Sequence, residues 1–129
     1  MSPWRVDGQF RFDGLFVVPA LLNDQPFKLL FDPGAAFSTI KPNAAALLGL
    51  PIVGSQRLLQ GGYYLIDCPV YQLDSFQVGF IRRAHVRVLG MPVDVSSGFH
   101  GLIGMDFLRQ YRFTLEPDTA TLILRPRRK

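Results

Sequence analysis

Cysteine and histidine are scarce in this chain. Cys68 is the single cysteine, so no intramolecular disulfide forms and a C-x-x-C metal or redox site is excluded. The histidines, His85 and His100, lack the nearby Cys or paired His that a metal site requires. No apolar run approaches the ~18 residues of a membrane span, and the opening Met1 to Gly8 has no charged-then-apolar leader pattern. No Gly-x-Ser-x-Gly elbow accompanies Ser96, Ser97 and His100, and Gly61-Gly62 lacks the Lys-Ser/Thr of a phosphate loop. These absences lead us to expect no cofactor, no metal, no membrane association and a cytoplasmic protein.

Unbalanced charge is also confined. Arg125, Arg127, Arg128 and Lys129 supply four of the 14 Lys and Arg residues, so the other ten balance the ten acidic residues. A uniformly basic surface is therefore not indicated, and no nucleic-acid partner is expected. The tail could touch an acidic surface, but a solvated, disordered terminus over 126–129 is the simpler reading.

What the chain does have is apolar mass: 129 residues, 48% hydrophobic, enough for one real core. We expect a single domain over 1–129 with its core at about 15–125. Phe16 to Leu22 and Pro26 to Phe31 are β-rich runs joined by Asn23-Asp24-Gln25, which favours a hairpin. Ser38-Thr39-Ile40 begins the next strand, and Pro42-Asn43 opens a short Ala/Leu helix that Gly49 ends. Leu58 to Leu73, broken by Gly61-Gly62, suits a projecting hairpin, while Phe76 to Gly79 and His85 to Leu89 read as separate half-buried strands. Met91 to Phe99 reads as loop. Many short strands with one or two short helices indicate an all-β, barrel-like domain.

One carboxylate stands out. Residues 27 to 40 carry an apolar run into Asp32-Pro33-Gly34-Ala35, and a second apolar run follows. Asp is among the residues least often found at the end of a buried strand without a partner or a task. Gly34 would let backbone amides approach that carboxylate, or supply a positive φ. Asp-Pro-Gly is equally an ordinary turn between strands, so this segment alone leaves both readings open. The second notable segment lies about seventy residues downstream: Gly101-Leu102-Ile103-Gly104-Met105-Asp106-Phe107-Leu108.

Together the two segments resemble the retropepsin-like aspartic proteases, the single-lobed relatives of pepsin. In that family a strand enters Asp-Thr/Ser-Gly-Ala, followed by an apolar strand, a short helix ending in Leu-Gly, a flap hairpin, and then two apolar residues and Gly before a final helix. Asp32 to Ala35, Ala44 to Leu50, and Leu102-Ile103-Gly104 with Met105 to Leu108 fit in that order, and Phe113 to Leu124 resembles the closing hairpin of bacterial members. The likeness runs from about Leu15 to Arg125.

The resemblance implies a closed retropepsin-like barrel and a homodimer in which Asp32 from each of two chains forms a catalytic dyad. It further implies a peptide or protein substrate held under a flap whose tip is Gln60-Gly61-Gly62; a plain mobile hairpin is the alternative for these three. Of the tyrosines after the tip, Tyr63 and Tyr64, one is expected to pack inward. Asp106 matches a structural residue of the family and is expected to cap or orient the helix start. The sequence departs from the family at Pro33, where Thr or Ser normally supplies a hydroxyl and an amide that bridge the two active-site loops; Pro offers neither. The function implied is an aspartic endopeptidase, with a catalytically impaired peptide-binding or dimerisation module as the alternative.

Overall fold

The computed structural model describes residues 4–60, 62–91 and 98–127. Among the described residues eleven strands and two short α-helices follow one another: β1 (Arg5–Asp7), β2 (Gln9–Phe10), β3 (Phe16–Leu22), β4 (Gln25–Phe31), β5 (Thr39–Ile40), α1 (Pro42–Leu48), β6 (Ile52–Gln60), β7 (Tyr64–Val78), β8 (Ile81–Gly90), β9 (Gly101–Ile103), α2 (Met105–Leu108), β10 (Tyr111–Glu116) and β11 (Thr121–Pro126). The fold is all-β, as its strand-rich sequence implies. No helix among the described residues is long and apolar enough to cross a membrane.

Strands β3, β4, β9, β5, β8 and β7 lie side by side, and β7 pairs back onto β3, which closes the ring into a barrel. The β3–β4 hairpin turns on Asn23 and Asp24, at φ 51° and 64°. Positive φ at both turn positions matches the right-handed twist of the flanking strands, and Asn and Asp tolerate it best after Gly. The Asn23 Oδ1 also accepts the amides of Asp74 and Ser75, which pins this turn to β7. Pro19 lies in β3 between the stretches that pair with β2 and with β7, a gap in which a residue without N–H is tolerated.

Helix α1 ends as expected, with Gly49 at φ 60° and its amide bonded to the carbonyls of Ala45 and Ala46. The projecting hairpin differs from expectation. Phe76-Gln77-Val78 is not a separate strand: β7 runs unbroken from Tyr64 to Val78, first against β6 and then, farther along, against β8. Pairing with β8 continues past Asp74, between the two segments that the sequence suggested were separate, and β3 adds a partner at Phe76 and Gln77.

Outside the barrel, β1, β11 and β10 form a smaller sheet. One core cluster joins Val6 of β1, Phe16 and Val18 of β3, Leu73 and Phe76 of β7, Ile103 of β9, Phe107 and Leu108 of α2, and Leu122 and Leu124 of β11. That cluster fixes α2 from below, and α2 in turn carries one wall of the candidate site.

Candidate active site

Asp32 follows β4 directly. Its amide donates to the Ile103 carbonyl at 3.0 Å, extending by one residue the parallel pairing of β4 with β9, in which Phe31 faces Ile103. The chain then reverses: the Ala35 amide donates to the Asp32 carbonyl at 3.1 Å, a turn with Pro33 and Gly34 at its corners. Pro33 occupies the first corner, where its fixed φ is favoured. Gly34 is not among the glycines with positive φ. The reason for glycine here is close approach: the Gly34 amide donates to Asp32 Oδ1 at 3.0 Å, and an added Cβ would stand 3.2 Å from the same oxygen. Asp32 is half-buried while Pro33 and Gly34 are exposed, so the carboxylate sits at the surface with its backbone anchored in the sheet.

The loop returns to β5, and β9 lies between the two strands that the loop joins. It is parallel to β4 and antiparallel to β5, with Leu102 facing both Leu30 and Thr39. The fit is close, because a Cβ at Gly101 would fall 2.1 Å from the Thr39 carbonyl oxygen. Ile103 is fully buried, and Leu102 packs against the small cluster of Val17, Leu30 and Phe99.

Helix α2 then locks the loop from the other side. The amides of Met105 and Asp106 donate to the carbonyls of Ala35 and Ala36 at 2.8 and 3.1 Å. Gly104 is pressed against the loop backbone; a Cβ there would lie 2.6 Å from the Phe37 carbonyl carbon and 2.9 Å from the Ala35 oxygen. Asp106 is the second residue of α2, not its N-cap, which is Gly104. Its Oδ1 accepts the Ser38 hydroxyl at 2.7 Å, the Ser38 amide at 2.9 Å and the Phe107 amide at 2.8 Å. Ser38 Oγ accepts the Gly104 amide at 3.0 Å, completing a ring of polar contacts around a side chain that is 2% exposed.

Leu102, Ile103, Gly104 and Asp106 are thus brought against Asp32 to Ala35. Ser38, which joins the two segments, escaped the sequence reading, where it served only to open a strand; the signal available was a hydroxyl at the mouth of that strand. The hairpin tip is not joined to Asp32 by any hydrogen bond or aromatic contact among the described residues. Gly62 has φ 76°, consistent with a tight tip, while Gly61 lies outside the described residues and of Gln60 only the backbone is described. Neither tyrosine packs inward: Tyr63 is 91% exposed and Tyr64 58%. With β6 and β7 paired only to each other at this end, the projecting hairpin has no core to bury them in. Among the described residues no three His, Cys, Asp or Glu side chains cluster as metal ligands would.

A model of the aspartyl protease family matches residues 18–107, a span that holds the Asp32 loop, the hairpin and the Gly104 segment. The chain belongs to that family. Similar solved structures identify the fold as that of the retropepsin-like members. A retropepsin-like aspartic protease from Rickettsia conorii superposes with a TM-score of 0.67 at 21% identity, over 93% of this chain and 86% of the other. The EIAV protease complexed with the inhibitor HBY-793 gives 0.57 at 15% identity, over 78% and 91%. The retroviral protease-like domain of Ddi1 from Leishmania major gives 0.52 at 14% identity, over 92% and 96%. No curated protein sequence matches. This aspartyl protease family member carries one Asp-x-Gly loop in its 129 residues, that of Asp32.

Proposed function

We propose that this protein is an aspartic endopeptidase whose dyad consists of Asp32 from each of two identical chains. The observation that carries the reading is the setting of Asp32: a surface carboxylate on a turn whose backbone is held by Ile103, Met105 and Asp106. Two carboxylates at hydrogen-bond separation cannot both ionise, so the pair shares one proton and titrates as a unit. The charged member takes a proton from a water between them, and the neutral member donates to the substrate carbonyl oxygen. The water oxygen bonds to the carbonyl carbon, and collapse of the tetrahedral species with proton transfer to the nitrogen breaks the C–N bond. The β6–β7 hairpin would close over an extended peptide. A cytoplasmic setting suits Cys68, which is a free thiol.

Pro33 supports a second reading, a peptide-binding or dimerisation module without catalysis, because this exposed corner offers no donor across a two-fold axis. Incubation with a denatured protein or peptide library separates the two. The endopeptidase reading expects cleavage that Asp32→Asn abolishes without altering the circular dichroism spectrum; cleavage surviving that substitution, or none by the parent chain at high concentration, discards it.

A further inference from the structure

The outer side of β8 carries charge that the described residues leave without an acidic partner. Arg83, His85 and Arg87 line an open groove of about 260 Å³ floored by Phe76 and Phe107. Arg87 and Asp106 also line a neighbouring groove of about 360 Å³, whose walls include Phe37 of the Asp32 loop and Ser55 and Gln56 at the base of the hairpin. Two shared residues make the grooves neighbours along one path, which leads from the edge of the candidate active site, past α2, to Arg83.

Among the described residues Arg83 and Arg87 have only neutral, long contacts. Arg83 Nη1 donates to the Tyr111 hydroxyl at 3.3 Å and Arg87 Nε to Gln72 Oε1 at 3.4 Å. The ion pairs among the described residues use Arg5, Arg11, Arg57 and Arg82 instead. Each guanidinium offers five N–H donors in a planar fork suited to a carboxylate, so most of the donors here are unused. The one carboxylate on the path, Asp106, already has its Oδ1 taken by Ser38 and Phe107. Nor is the positive charge a diffuse property of the chain, since outside the four basic residues at 125 and 127–129 the Lys and Arg balance the acidic residues.

We infer that this path is a docking channel for acidic side chains of the peptide substrate, outside the residues that flank the cut bond, with Arg83 and Arg87 as the contacts that select them. The inference rests on the endopeptidase reading for its ligand and adds a substrate class to it: peptides with Asp or Glu outside the residues that flank the cut bond. In a two-fold dimer the channel occurs twice, so acidic residues at both ends of the peptide are recognised.

The test measures binding, not cleavage. Full-length Asp32→Asn protein is titrated against a fluorescein-labelled peptide with an apolar centre and Glu pairs at both ends, and against the same peptide with Gln pairs. At low salt we expect the Glu peptide to bind about three- to tenfold more tightly, the scale of two solvent-exposed charge pairs. The preference shrinks as salt rises and disappears in Arg83→Gln/Arg87→Gln. Equal affinity for the two peptides, or a preference that survives the double substitution, overturns the channel. An equal loss in Arg125→Gln, outside the grooves, also overturns it by showing general charge attraction. If the preference holds but the parent chain cleaves nothing, the channel stands and the endopeptidase reading alone falls.

Discussion

Ser38 gives both of its protons to a single oxygen of Asp106, from its hydroxyl at 2.7 Å and from its amide at 2.9 Å. Because the same oxygen also accepts the Phe107 amide, one carboxylate holds the loop that contains Asp32 onto the helix that supports it. Hydrogen bonds to a charged acceptor are roughly twice as strong as neutral ones. Asp106→Asn keeps an acceptor and should lower stability by about 1 kcal/mol, whereas Asp106→Ala orphans buried donors and should lower it by about 3 kcal/mol. Urea denaturation of both variants measures the difference; equal losses would show that the acceptor itself contributes nothing.

Gly104→Ala should be more damaging than its one added methyl suggests. The new Cβ meets the backbone of Phe37 and Ala35, not the movable end of a side chain, so the loop itself must shift. A loss of about 2 kcal/mol or more is expected, on the scale of overpacking in a close-packed interior. Activity should fall below what the remaining folded fraction supplies. A thermal melt unchanged from the parent would show that the contact yields freely.

Thr39, which follows Ser38 and opens β5, has a buried hydroxyl oxygen with no hydrogen-bond partner among the described residues. Replacing an unsatisfied polar atom by a methyl group of similar shape removes a desolvation penalty and keeps the β-branched side chain. Thr39→Val should therefore raise stability by about 1 kcal/mol. A loss in chemical denaturation would show that the hydroxyl has a partner in solution.

The pH dependence of the β3–β4 turn follows from Arg82. Its Nη1 donates to Asp24 Oδ1 at 2.6 Å, and this hydrogen bond, aided by the charge, holds the Asp24 carboxyl below its ordinary range. A depressed folded pKa means that the contribution is present above the unfolded value of about 3.9 and is lost as pH falls through the folded one. In an NMR titration Arg82→Ala should move the Asp24 midpoint upward. An unmoved midpoint would mean that the pair is not formed in solution.

Pro33→Thr tests the departure from the family pattern. If the hydroxyl and amide restore two bonds across the dimer axis at roughly 1 kcal/mol each, self-association should tighten by about ten- to thirtyfold. Sedimentation across a dilution series reads this directly. Equal or weaker association would show that the turn with Pro33 at its corner is self-sufficient.

Local chemistry explains what could be read from the sequence. The Asn23-Asp24 turn, the Gly49 cap and the Asp32 loop are specified by residues adjacent in the chain, where positive φ, helix termination and close approach leave few choices. Pairings between distant segments have no such signature. Nothing in Gly101 to Ile103 announces two different partners in opposite directions, and nothing in Phe76 to Val78 distinguishes a new strand from the end of a long one. Ser38 was missed for the same reason, since its role exists only once residue 106 has come beside it. The tyrosines of the hairpin were misjudged because aromatic residues usually find a core, and a two-stranded projection has none.

The insertion of β9 between β4 and β5 also sets an order of events in time. Leu29 pairs with Gly101 and Thr39 with Leu102, contacts between residues about half the chain apart. Pairings of such long separation are slow to form, because the entropy of closing the intervening segment is lost before any contact is gained. During synthesis, which runs from the N-terminus, Asp32 emerges long before the amides and carbonyls that orient it. The carboxylate therefore stays unorganised until about four-fifths of the sequence has been made. On the endopeptidase reading, a chain halted before β9 would carry the acid without the backbone that orients it.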